Sequence, residues 1–153
     1  MSDVKTVDFT TISNFFPKQL EALQTAKRFK FTLFGGSVGS GKSRWLRWMC
    51  VYFLKDYFTR YGIKGIRAGL FCEDYPSLND RHLTKIKYEF PPGLGTYNEA
   101  RKEFTLAPKL GGGIIAFRNL DDPSKYLSVE FAMIAIDEIN RNQKPVFDML
   151  RSR

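Results

Sequence analysis

One histidine and two cysteines stand among 153 residues, and their scarcity excludes several chemistries. The lone His82 argues against a histidine-rich metal centre and against a histidine-based catalytic triad. Cys50 and Cys72 form no C-x-x-C pair and no disulfide framework. Both lie in apolar segments, so buried free thiols are expected, as in a reducing cytoplasm. The N-terminal residues lack the basic-then-apolar pattern of a secretion signal. Apolar runs such as Phe131 to Ile136 are far too short to span a bilayer, so a soluble chain with no membrane partner is expected. There is no internal repeat, no low-complexity tract and no linker that would divide the chain.

Hydrophobic residues make up 43% and aromatics 15%, with Phe alone occurring 14 times, enough for one domain with a real core. The formal net charge is +8 and the isoelectric point is near 9.6. A surface of that sign attracts polyanions, which makes nucleic acid a candidate partner beside the plainer reading of a basic soluble domain.

Residues 1–16 read as an irregular lead-in, and 17–153 as the folded part. Pro17 suits the first position of a helix, which Gln19 to Arg28 continue. Phe29 to Phe34 is a short β-prone run ending at Gly35-Gly36. A long helix is expected from Ser43 to Tyr61, stopped by Gly62. Ile66 to Cys72 reads as a buried strand. Leu78, Leu83, Ile86 and Phe90 recur at helical spacing until Pro91-Pro92-Gly93. Glu103 to Ala107 and Ile114 to Arg118 flank three glycines as a hairpin. Val129 to Ile136, apolar but for Glu130, reads as a strand, and Pro145 to Leu150 begins a last helix. Alternating strands and helices predict an α/β fold with a mostly parallel sheet.

Within this frame lies Gly36-Ser37-Val38-Gly39-Ser40-Gly41-Lys42-Ser43, which fits the phosphate-binding P-loop pattern G-x-x-x-x-G-K-[ST] without a mismatch. The glycines permit turns that side chains would block, and successive N–H groups can then surround phosphate oxygens. A helix starting there adds its dipole. Lys42 can reach the β- and γ-phosphates of ATP, and Ser43 can offer its hydroxyl to Mg2+. The second signal is an apolar strand running into Asp137-Glu138. Asp137 is the expected partner of the magnesium ion, and Glu138 the general base that polarises the attacking water. The third is Phe16-Pro17-Lys18-Gln19, in which the Gln19 amide can match the edge of adenine, against the alternative of a surface glutamine at a helix start. Arg44, Arg47, Arg60 and Arg67 are solvated surface or, for one of them, an arginine finger. Trp45 and Trp48 read as packing, and Glu73-Asp74 as a strand-end turn.

In this order, with the glycine-containing hairpin, the Asp121-Asp122-Pro123 turn and the closing residues 147–153, the chain resembles the N-terminal ATPase domain of phage large terminase subunits over residues 12–151. The resemblance implies a RecA-like P-loop NTPase sheet of the type that carries a catalytic glutamate. It also implies a motor that couples ATP hydrolysis to moving double-stranded DNA into a procapsid. The portal, the small terminase subunit and further copies in a ring would be its partners, in the host cytoplasm. The family's ATPase roles fall on Gln19, Lys42, Ser43, Asp137 and Glu138.

Two departures stand out. Cys72-Glu73-Asp74-Tyr75 replaces an arginine-containing turn of many terminases, and no arginine lies between Gly36 and Gly41. In such ATPases a further strand normally follows the acidic pair and inserts beside the P-loop strand, and a nuclease domain comes after it. The chain is therefore expected to be an incomplete domain with weak or absent turnover alone. Rival readings are another P-loop DNA motor, such as a helicase or DNA-transport ATPase, and a nucleotide-binding remnant without catalysis.

Overall fold

The computed structural model describes residues 13–126, 128–142 and 144–152, so most of the lead-in lies outside the described residues. The chain folds as α/β around a five-stranded mixed sheet. Its strands are β1 (Arg67–Cys72), β2 (Gly95–Asn98), β3 (Glu103–Leu106), β4 (Ile114–Asn119) and β5 (Met133–Ile136), in the spatial order β2-β3-β4-β1-β5. β1 runs parallel to β4 and to β5, whereas β3 is antiparallel to β2 and to β4. The expected mostly parallel sheet is thus corrected to a mixed one. The hairpin of β3 and β4 gains β2, whose Gly95-Thr96-Tyr97-Asn98 follows a Pro-Pro-Gly turn and carries no apolar alternation.

Helix α1 (Pro17–Arg28) opens with proline where the missing N–H costs nothing. Helix α2 (Lys42–Tyr61) ends at Gly62, whose φ of 67° gives the left-handed cap that glycine adopts without strain. Residues 75–89 form one helical rod with a change of pitch. α3 (Tyr75–Leu78) passes through a π-helical turn (Asn79–Leu83) into α4 (Thr84–Glu89). Helix α5 (Lys144–Arg151) closes the described chain.

Strand alternation divides the core between the two faces of the sheet. Leu70 and Cys72 of β1, Ile115 and Phe117 of β4 and Ala135 of β5 pack with Trp45, Trp48 and Leu54 of α2 and with Leu78 and Ile86. Phe71 and Ala116 point the other way, into a smaller cluster with Phe131, Tyr126 and Leu150 of α5. Trp45 and Trp48 are buried, as expected of packing residues.

The run Phe29 to Phe34 forms no strand. Phe29, Phe31 and Leu33 are exposed, and only Phe34 turns inward, its ring 4.8 Å from Trp45. β-Propensity alone does not make a strand; a partner edge does. β5 pairs with β1 on one side, and among the described residues no strand lies on its other side.

Arg47 is buried rather than solvated. Its Nε and Nη2 reach both carboxylate oxygens of Glu89, tying α2 to α4. Removing one member of a buried pair leaves the other charge without compensation. Arg47→Ala is accordingly expected to cost about 3–5 kcal/mol, read as a lower urea midpoint.

Candidate phosphate-binding site

Residues 35–41 cross from the exposed run to the start of α2. Gly39 and Gly41 carry φ of 81° and 75°, a region where a Cβ is strained. A Cβ on Gly41 would also lie 2.8 Å from the Gln19 amide nitrogen, so this position needs glycine for shape and for space. The first N–H groups of α2 have no acceptor within the helix and lie where the loop ends. Lys42 folds back over the loop. Its Nζ donates to the carbonyls of Gly36 at 3.0 Å and Ser37 at 2.9 Å, and to Ser40 Oγ at 3.3 Å. An ammonium group therefore stands in the mouth of a glycine-rich turn at a helix N-terminus. Val38 is fully exposed at the tip.

Gln19 sits beneath the loop and is almost wholly buried. Its Nε2 donates to the carbonyls of Ser40 and Gly41, at 3.4 and 3.3 Å, while its Oε1 accepts the Phe16 N–H at 3.0 Å. Both ends of the amide are engaged, so Gln19 braces the loop rather than lying open to a base. Trp45 Nε1 donates to the Gln19 carbonyl at 2.9 Å, which fixes α1 against α2.

The loop meets the acidic pair through one contact. Ser43 Oγ donates to Asp137 Oδ2 at 2.7 Å, joining positions 94 residues apart. Parallel pairing of β5 with β1 carries Asp137 to this end of the sheet, where its N–H donates to the Phe71 carbonyl. With the serine proton committed to the carboxylate, the hydroxyl lone pairs remain free to bind a hard cation. A hydroxyl and a carboxylate converging beside a lysine suit a magnesium–phosphate ligand. Glu138 follows in the left-handed region, φ 50° and ψ 53°. That conformation is uncommon for a residue with a side chain. Its carboxylate makes no hydrogen bond or ion pair among the described residues.

The sole histidine joins this group. The π-turn carries His82 inward to full burial, with Nε2 3.0 Å from Asp137 Oδ2 and Nδ1 3.1 Å from Arg47 Nη1. A guanidinium can only donate, so Nδ1 accepts; the ring is neutral and its proton sits on Nε2, donating to Asp137. Burial pushes the His82 pKa below its ordinary value, opposed by Asp137 and reinforced by Arg47. For Asp137, burial pushes upward, but hydrogen bonds from His82 and Ser43 outweigh it and hold the carboxyl below the usual range.

Around this centre, Glu73 accepts from Arg81 and Arg141, and Arg81 lies 3.9 Å from Asp137. Asp74 caps α3 by accepting the Ser77 N–H at 2.8 Å, a strand-end turn as its sequence suggests. Elsewhere, Arg60 pairs with Asp56 and Arg67 with Glu103.

Cys72, His82 and Asp137 bring ligand atoms within 4.8 Å of one another. A soft metal there would need the unprotonated Nε2 that Arg47 denies it, and a thiolate. Burial instead pushes the Cys72 thiol up to about 12, and that of Cys50 likewise to about 12. Both are therefore expected to resist alkylation near pH 8 in the folded chain and to react freely in urea. Because both values are raised from 9.0, an unfolded chain ionises first as pH climbs. Stability should fall between about pH 9 and 12, read as a declining urea midpoint.

The chain matches no protein-family model, no curated protein and no solved structure.

Proposed function

We propose that the chain is a P-loop NTPase domain of RecA-like type that binds ATP with magnesium, and that it serves as the motor part of a DNA-packaging terminase. The observation that carries this reading is the Ser43–Asp137 hydrogen bond, which brings the end of the glycine-rich loop and the acidic pair into one site. In this reading the amides at the start of α2 and the Lys42 ammonium hold the β- and γ-phosphates. Ser43 and Asp137 hold the magnesium ion, which when bound would neutralise charge on the phosphate oxygens. Glu138, with no competing partner among the described residues, orients and deprotonates the attacking water. The basic surface suits a DNA duplex. The portal, the small terminase subunit and a ring of further copies belong to the same proposal.

Steady-state hydrolysis with and without duplex DNA tests the motor reading. Stimulation by duplex that fades with added salt is expected, since phosphate contacts release counterions. Stimulation by forked or single-stranded DNA alone would point to a helicase. A second reading, nucleotide binding without turnover, draws on the exposed run Phe29 to Phe34, which enters the loop without support from the sheet. Saturable MgATP binding with no hydrolysis under any DNA condition would favour it.

A further inference from the structure

His82 stands outside every motif described above, yet it closes a ring of hydrogen bonds around the site. Ser43 and Arg47 are one turn apart on α2, so they share a face. From Ser43 the ring runs to Asp137, then to His82, then to Arg47, and back along α2. Each link is directional. Glu89 holds Arg47 by both carboxylate oxygens, and Arg47 also donates to the Arg81 carbonyl at 2.6 Å, which leaves its guanidinium little freedom to rotate. So fixed, Arg47 faces Nδ1 with a donor and keeps the imidazole proton on Nε2. The π-turn supplies the extra residue that rotates His82 toward β5, at a kind of irregularity often found where a helix serves a site. Ser43 and His82 both donate to the same oxygen, Oδ2, and among the described residues no hydrogen bond reaches Oδ1.

We propose that His82 is a positioning residue for the metal-binding carboxylate: its Nε2–H, held in that tautomer by Arg47, fixes Asp137 on Oδ2 and presents Oδ1 to the magnesium shell. This rests on the reading of Ser43 and Asp137 as the magnesium site. Outer partners of this kind typically set metal affinity by about 10- to 100-fold when removed.

Two measurements test it. With a single histidine in the chain, nitrogen-15 NMR of the imidazole reads one residue. The expected spectrum of the folded chain without nucleotide is the neutral Nε2–H tautomer; a protonated Nδ1 would overturn the proposal, whatever the chain's activity.

The second compares His82→Gln, His82→Asn and His82→Ala by ADP binding across a magnesium titration and in EDTA. A glutamine amide nitrogen falls near Nε2, so His82→Gln should keep the half-saturating magnesium concentration within about threefold. His82→Asn and His82→Ala should raise it by about tenfold or more and leave metal-free ADP binding unchanged. Equal loss in all three, or loss of metal-free binding in step, would reduce His82 to a packing residue and overturn the proposal. Failure of wild type to bind ADP at all, with the Nε2–H tautomer present, would instead count against the nucleotide site itself.

Discussion

Lys42→Ala is expected to weaken MgATP binding by about 100-fold while leaving the chain folded, since charged hydrogen bonds to a polyphosphate are worth about 1.5–3 kcal/mol. In the protein without ligand, Nζ spends its hydrogens on the Gly36 and Ser37 carbonyls and on Ser40 Oγ. These are exposed or half-exposed contacts on a loop, so their loss should change global stability little. A phosphate would offer the ammonium full negative charges in their place. Circular dichroism and the urea midpoint serve as the folding control beside calorimetric titration of MgATP. A mutant that binds as tightly as wild type would remove the lysine from the site.

The second large effect should separate binding from chemistry. Glu138→Gln keeps the size and the hydrogen-bonding reach of the side chain but removes its basicity. Loss of a positioned general base typically costs about 10²- to 10⁴-fold in the chemical step. MgATP affinity should stay within about threefold of wild type, because Glu138 makes no described contact with the loop. Single-turnover hydrolysis with protein in excess over ATP reads this split even where turnover is slow. Glu138→Ala should match Glu138→Gln in rate, whereas a mutant as fast as wild type would assign the base to another group. The left-handed backbone at Glu138 adds a further contrast. Glu138→Gly should relieve the strain and stabilise the fold slightly while abolishing hydrolysis, the opposite signs expected of strain held for function.

Much of the site was legible because it is local. The residues from Gly36 to Ser43 are contiguous, and the P-loop pattern they match is read from spacing alone. Asp137-Glu138 closes a run whose apolar character marks a buried strand. Pro17 and Gly62 placed the ends of α1 and α2 closely, since both act through their own backbone angles. What stayed hidden depends on contacts between distant segments. His82 meets Asp137 across 55 residues, and only a π-turn, which has no sequence signature, points it there. Arg47 looked like a surface cation because its partner Glu89 lies 42 residues away. Gln19 offered the right amide for a base, but its donor and acceptor were already claimed by the loop and by Phe16. Phe29 to Phe34 has the composition of a strand but pairs with no strand edge among the described residues. β2 has the edge and lacks the composition.

Calorimetric titration of ATP into the folded chain, with magnesium and again in EDTA, tests the central claim most directly. Saturation at one nucleotide per chain, markedly tighter with magnesium and losing that advantage in Asp137→Asn, is the predicted result. A folded chain that shows no saturable binding, or equal affinity with and without the metal, would contradict the assignment of Ser43 and Asp137 as a magnesium–nucleotide site.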